Sequence, residues 1–225
     1  MPIVTGFELD FDPLKTLRRL GRDPDRVFGA RTSPLVYEQA LEEARRLIHA
    51  SYCYDVYPVL GAELGGLLIA QGQVLESPVV ASLFREAPEV ALLVYTVGPE
   101  LETRVKELQQ NGKHLSAFLL DRIGTLALQE VGVTAYGCIE DLARDRYVRA
   151  SLPFNPGTTH WPSSGQLVFR DLCPLQEIDV SVTDSFLLMP YKSISMATAL
   201  GTNVLTPAEG SSCDYCETRH LCHQS

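Results

Sequence analysis

Helical and strand-like patterns share one chain of 225 residues, and together they predict a mixed fold whose sheet is buried on at least one face. The strand signal comes from three runs: residues 53–60 are rich in aromatic and β-branched side chains, 66–70 are apolar, and 90–97 are almost wholly so. The helical signal is strongest in Leu115, Phe118, Leu119, Arg122, Ile123, Leu126, Ala127 and Glu130, whose spacing defines a long central helix running past Tyr136 toward Arg146. Gly124 and Ala127 on that helix are expected to let a neighbouring backbone approach closely.

The other elements follow in order. Leu14, Leu17 and Leu20 before Gly21 read as a short helix with a glycine stop. Ser33 and Pro34 cap a helix carrying Val36, Ala40, Ala44, Leu47 and Ile48 on its apolar face, with Glu42 and Glu43 toward solvent. Val97, Gly98 and Pro99 close the third strand and open a helix over 100–110, where Glu100 and Glu102 suit the positive end of the helix dipole. Residues 151–165 are dense in Pro, Gly, Ser, Thr and Asn and predict an ordered loop, the kind of segment that often carries function. A short helix over 166–172 and strands over 180–188 and 193–199 complete the expectation, with Met189, Pro190, Tyr191 and Lys192 as the last turn.

Composition narrows the function classes. With 45% hydrophobic and 21% charged residues the chain is an ordinary globular sequence, able to bury a core without cross-links. The formal net charge is -9 and no basic cluster exceeds an Arg-Arg pair, so the electrostatic footprint of a nucleic-acid binder is missing. No stretch approaches the roughly 20 apolar residues of a membrane helix, and residues 1–10 lack the basic and apolar regions of a signal peptide. A cytoplasmic location without membrane or nucleic-acid partners is the expectation. Six cysteines are present, three of them within the last thirteen residues, which is not the layout of a secreted disulfide scaffold.

That cluster is the densest chemical signal. Cys213, Cys216 and Cys222, with His220 and His223 interleaved, place five soft or borderline ligands in eleven residues. A CxxC turn can aim two thiolates at one metal, and a third cysteine after five intervening residues can join them, a donor set that suits zinc and iron-sulfur iron alike. For an iron-sulfur cluster the fourth ligand is Cys173, Cys53, Cys138 or a histidine, with Cys173 first because it stands in a loop beside a proline. For zinc, His220 or His223 completes the set within the tail. Idle thiols on a flexible tail are the bland alternative. Elsewhere Glu130 reads as a structurally paired acid, Cys138 as core packing, and Tyr52, Tyr54 and Tyr57 as an aromatic strand that can also line a pocket.

One set of segments resembles a known family. Asn155, Pro156 and Gly157, then Trp161-Pro162, Gln166, Phe169 to Leu172, and Val182 to Pro190 are together similar to the end of the activation (reactivation) domain of cobalamin-dependent methionine synthase. Lys192 to Ser195 and Leu120 to Gly124 extend the likeness to the family's serine-containing strand and long helix. The resemblance implies an α+β fold with a bent, mainly antiparallel sheet and surrounding helices over residues 1–205, followed by a cysteine-rich tail over 206–225. It implies binding of S-adenosylmethionine and of the cobalamin of a corrinoid-binding partner, whose oxidised cobalt is reduced and remethylated. Carried onto this chain, the loop site is Asn155, Pro156, Gly157, His160 and Trp161. Two positions depart: the family's loop begins with an arginine and has a tyrosine after the glycine, where Pro153 and Thr158 stand here. The guanidinium fork for a carboxylate and a flat ring with a hydroxyl are thereby lost unless His160 and Trp161 replace them. In this family setting the tail favours an iron-sulfur cluster fed by an electron donor, with a zinc-stabilised binding module or an inert interaction module as alternatives.

Overall fold

The computed structural model describes residues 2–63 and 65–217. Four helices begin with a cap residue followed by proline: α1 (Pro13–Arg19) after Asp12, α2 (Pro24–Phe28) after Asp23, α3 (Pro34–Leu47) after Ser33, and α4 (Pro78–Phe84) after Ser77. Proline fits the first helical position because its missing N–H has no partner there anyway. The Asp12 carboxylate accepts from the N–H groups of Leu14 and Lys15, and the Ser77 hydroxyl accepts from Val80. α5 (Glu100–Gln110), α6 (His114–Asp145) and α7 (Gln166–Leu172) lie where the sequence predicts helices.

The strands are β1 (Ile3–Val4), β2 (Ser51–Glu63), β3 (Gly66–Ile69), β4 (Val74–Leu75), β5 (Glu89–Thr96), β6 (Arg149–Ala150), β7 (Ser181–Val182), β8 (Leu188–Met189) and β9 (Ser193–Gly201). One curled antiparallel sheet runs β4-β3-β2-β5-β9-β6, with β1 paired to the start of β2. β2 pairs β5 from Ser51 to Pro58 and β3 from Val59 to Glu63, and its register slips between Val59 and Gly61, a bulge that bends the strand. The α+β architecture with a bent antiparallel sheet is therefore the observed one.

β5 explains why residues 90–97 are nearly all apolar: both faces of the sheet are covered. Ala91, Leu93 and Tyr95 join the core built by α1, α3, α5 and α6, where Leu120, Ile123, Ala127 and Val131 are buried. Val90, Leu92 and Val94 point the other way, into a second core with Phe84, Phe154, Trp161 and Phe169. Each fully buried large aliphatic or aromatic side chain contributes about 1.5–3 kcal/mol, so the strand is fixed from both sides.

Three expectations are corrected. Residues 180–188 form no single strand: β7 and β8 pair as a small hairpin, because Thr183, Asp184 and Ser185 build a turn. Leu187 donates its N–H to the Thr183 hydroxyl at 3.1 Å there, and Phe186 takes a positive φ of 61°. Glu43 does not simply face solvent but accepts from Arg104 of α5 at 2.5 Å. The groups drawn close at Gly124 are side chains, Leu101 and Lys192, rather than a neighbouring backbone. Among the described residues no helix is long and apolar enough to cross a membrane.

Two glycines of α6 separate packing from propensity. A Cβ at Gly132 would stand 2.6 Å from the buried Tyr95 hydroxyl, whereas one at Gly137 meets nothing within 4 Å. Gly137→Ala is expected to raise stability by up to about 1 kcal/mol through helix propensity. Gly132→Ala loses that gain and is expected to cost about 1–3 kcal/mol from overpacking. Urea denaturation midpoints of the two variants, compared with the parent, check the opposite signs.

Candidate metal and ligand site

The loop after β6 is fastened along the free edge of β9. Ser151 donates its N–H to the Ala199 carbonyl at 2.9 Å and its hydroxyl accepts from the Ala199 N–H at 2.9 Å. Phe154 exchanges two backbone bonds with Ala197, at 3.0 and 2.9 Å. The Asn155 amide donates to the Ser195 carbonyl at 2.6 Å, and the Ser195 hydroxyl donates to Gln166 Oε1 at 2.7 Å. Segments that the resemblance joins are thus joined in space. Lys192 likewise reaches Asp121 of α6 at 2.5 Å while its N–H donates to the Glu102 carboxylate at 2.5 Å.

Pro156 is buried, and Gly157 turns the chain at a φ of 88°, a left-handed conformation that glycine adopts without strain. Gly157 and Thr158 then donate N–H bonds to the Trp161 carbonyl at 2.9 and 3.0 Å. The Trp161 ring is wholly buried, 6.0 Å from Phe169 and so close to Gly165 that a Cβ there would lie 2.2 Å from Nε1. It anchors the loop to the core and offers no face to a ligand. His160 is held by its carbonyl, which accepts from the Ser77 hydroxyl at 2.8 Å, and its ring stands edge-on to Phe154 at 5.3 Å. Both ring nitrogens are buried, and neither has a hydrogen-bond partner among the described residues. Burial lowers the pKa of this imidazole below its ordinary value, which favours the neutral form.

The chain beyond β9 returns to the same loop. Leu152 donates its N–H to the Leu205 carbonyl at 2.7 Å, and Arg149 reaches the Val204 carbonyl at 3.0 Å and Glu209 at 3.2 Å. Hydrogen bonds from the Thr206 N–H and hydroxyl, then from Arg149, hold the Glu209 carboxyl below its usual range. Ser211 and Asp214 form a capping box on the short turn Ser212–Tyr215, in which Cys213 donates its N–H to the Ser211 hydroxyl at 3.2 Å. The Cys216 N–H donates to the Cys213 carbonyl at 3.2 Å, which closes the CxxC turn. That turn lies on the loop: Tyr215 stands edge-on to Phe154 at 5.8 Å, and the Thr159 hydroxyl donates to Cys216 Sγ at 3.5 Å.

The sequence-derived site residues therefore divide. Asn155, Pro156, Gly157, His160 and Trp161 lie in one loop that Asn155 and Trp161 hold in place, and the turn of Cys213 and Cys216 meets that loop through Thr159 and Phe154. Cys222, His220 and His223 lie outside the described residues. Cys173 is buried behind α7, where burial pushes its thiol pKa up and Cys53 and Asp55 add to the shift. Among the described residues no three His, Cys, Asp or Glu side chains are grouped to hold a metal ion. Glu130 is the structural acid expected, accepting from Thr16 and Arg19 at 2.6 Å each, and Tyr52 pairs with Cys138 at 2.9 Å. Phe154, Thr159 and Tyr215 escape sequence reasoning, because their contacts join segments some sixty residues apart without any periodic signal. A cleft of about 710 Å³ at the N-terminal arm, lined by Phe7, Leu9, Phe11 and Arg45 among others, shares no residue with this site.

Thiol reactivity should report this arrangement. Burial pushes the Cys53 thiol up to about 12 and raises the Cys173 thiol as well, whereas Cys213 is exposed. In metal-free native protein at pH 8, iodoacetamide is expected to label Cys213 at least about tenfold faster than Cys53 or Cys173, which react only on denaturation. Peptide mass spectrometry after timed quenching checks this, and rapid native labelling of Cys173 contradicts it.

No protein-family model matches the chain, and no curated protein matches it in sequence. Among solved structures, the crystal structure of the MetH reactivation domain bound to AdoHcy is similar, with a TM-score of 0.60 at 11% identity over 90% of this chain and 79% of that one. At that identity the likeness establishes the fold, and this chain has the fold of the MetH reactivation domain.

Proposed function

We propose that the protein is an accessory factor for corrinoid-dependent methyl transfer, which reductively reactivates the cobalamin of a partner methyltransferase through an iron-sulfur cluster held by its cysteine-rich tail. Residues 1–205 form the body that docks on the corrinoid-binding partner, and residues 206–225 form the tail, with Cys213, Cys216 and Cys222 as cluster ligands. The observation that carries this reading is the contact of the CxxC turn with the loop of the reactivation-like body, through Thr159 with Cys216 and Phe154 with Tyr215. The fold is that of the MetH reactivation domain bound to AdoHcy, and the sequence of the tail adds a thiolate donor set to it.

Such a cluster, which Cys213, Cys216 and Cys222 would hold, would supply one-electron reducing power toward the partner's cobalt and would itself need re-reduction by a low-potential one-electron carrier protein. The chain's own residues set the conditions for that transfer. The Thr159 hydroxyl donates to the Cys216 sulfur, and hydrogen bonds to ligand sulfurs are one of the levers that tune the potential of such a centre. The exposure of Cys213 leaves one side of the turn open to a partner. The body supplies orientation, and the cofactor's metal supplies the chemistry.

S-adenosylmethionine has no such support in this loop. Residues 151–165 contain neither Arg nor Lys, Pro153 and Thr158 stand where the family has its arginine and tyrosine, and Trp161 is occupied in the core. A ligand carboxylate therefore lacks its guanidinium fork here, and no step is routed through that molecule. Calorimetry with AdoHcy is expected to show no saturable heat, and saturable binding would restore adenosylmethionine to the mechanism.

Anaerobic purification with iron and sulfide analysis tests the redox reading. The expected result is a coloured protein with stoichiometric iron and acid-labile sulfide, both lost in Cys213→Ser and Cys216→Ser. Added to a cobalt(II) corrinoid protein with a chemical reductant, it should speed the appearance of cobalt(I). A colourless zinc protein overturns the electron-transfer role and leaves a zinc-stabilised binding module in its place.

A further inference from the structure

We infer that the cleft between the N-terminal arm and α3 is a docking site for the extended C-terminal end of a partner protein, one that alternates basic and apolar residues and finishes in a free carboxylate. The cleft shares no residue with the loop or the cysteine turn, so this inference stands apart from the redox reading.

The arm continues a sheet edge and then leaves it unpaired. β1 pairs with β2 through Ile3 and Val4, and beyond the turn at Gly6, where φ is 58°, the Phe7 N–H still donates to the Ala50 carbonyl at 3.1 Å. There the ladder stops: among the described residues the N–H and carbonyl groups of Glu8, Leu9 and Asp10 have no hydrogen-bond partner. Burial nevertheless keeps the two-residue period of a strand, since Phe7, Leu9 and Phe11 pack against the core while Glu8 and Asp10 between them are exposed. A strand-like segment with unpaired backbone groups is a template for another chain, and adding a strand to such an edge is a recurring mode of peptide recognition. The cleft beside it, of about 710 Å³, falls within the roughly 300–1,000 Å³ of ligand sites.

Charge selects the occupant. Arg45, Glu8 and Asp10 all line the cleft, yet none of the three forms an ion pair among the described residues, whereas Arg46 pairs with Glu42 and Arg104 pairs with Glu43 and Glu107. Arg45 has one hydrogen bond there, a long one of 3.4 Å to the Phe11 carbonyl, so its guanidinium fork keeps donors for a carboxylate. Glu8 and Asp10 stand two residues apart on the exposed side of the arm. On an added strand they are matched by two basic side chains at the same spacing, because opposite charges facing each other stabilise a strand pair. The residue between those two faces the other way, toward the apolar wall of Phe7, Leu9 and Ile48. A chain end of this pattern engages the charges of both signs and the free backbone groups together, whereas a small anion or cation engages one kind. The formal net charge of -9 adds a general attraction for a basic segment.

The test uses the full chain and the fluorescence anisotropy of an N-terminally labelled probe, Lys-Val-Lys-Val with a free C-terminal carboxylate, for which saturable binding is expected. The double variant Glu8→Lys with Asp10→Lys, both at exposed positions, should weaken binding by about tenfold or more, and Glu-Val-Glu-Val should bind that variant but not the parent. Arg45→Ala and amidation of the probe's end should each weaken binding, and together they should cost no more than either alone, since they remove one contact. Alternate residues of an added strand donate to its neighbour, so N-methylation of either the lysines or the valines should abolish binding while methylation of the other set leaves it near parental. Cys213→Ser should change none of these values, which keeps the outcome separate from that of the cluster. A parent that shows no saturable binding overturns the inference. So does equal tolerance of both methylated probes, which marks attraction by charge alone, or parental affinity in the double lysine variant.

Discussion

The edge of β9 is the constraint on which the rest of the arrangement depends. One side of this strand is paired along its length with β5, and the other is covered by β6 only at Leu200 and Gly201. An uncovered edge of buried strand leaves backbone groups without partners, which proteins seldom tolerate. Here irregular chain completes the ladder: Ser151 serves Ala199, Phe154 serves Ala197, and the Asn155 side chain serves Ser195. Because these bonds recur at every second residue of β9, they fix the loop in the register of the sheet. Trp161 then pins its far end into the core beneath Gly165. His160 and Thr159 are therefore held by a frame as rigid as a strand, although they belong to no regular element.

The same edge places the tail. After β9 the chain passes Val204 and Leu205, whose carbonyls accept from Arg149 and Leu152, residues that flank the start of the loop. The chain is thereby turned back over the segment that covers the strand, and the capping box of Ser211 and Asp214 shapes the turn that presents Cys213 and Cys216. Two segments separated by some fifty residues meet because each satisfies a part of one strand or of its cover. A change to Asn155 or Ser151 would act on the tail without touching any cysteine.

Much of this architecture is written in local patterns. The helical period of α6 and the apolar run of β5 are visible because each reports a simple environment: a helix packed along its length, and a strand covered on both faces. α2 and α4 are absent from the sequence expectation, although Asp23-Pro24 and Ser77-Pro78 are the same cap-and-proline pair that marks α3 at Ser33-Pro34. Their shortness deprives them of a periodic face, so the cap is the only local trace. Residues 180–188 misled for the opposite reason, since apolar side chains at both ends imitate a strand while Thr183, Asp184 and Ser185 between them make a turn. The site was legible as a list of donors but not as a geometry. Which cysteine is buried, and which loop residues meet the CxxC turn, depend on contacts between residues far apart in the chain, and no local spacing encodes them.

The loop departs from the pattern of the family it resembles in a way that fits the contacts around it. Pro153 and Thr158 stand where the resemblance leads to an arginine and a tyrosine, and the tryptophan of the loop is turned into the core. What the loop has instead is an imidazole whose pKa burial lowers and a hydroxyl that donates to a cysteine sulfur. A neutral imidazole is a good metal donor and a poor counter-ion for a carboxylate. Residues 151–165 carry no Arg, Lys, Asp or Glu, so the loop that the strand edge holds in place offers an anionic ligand no charged side chain to pair with.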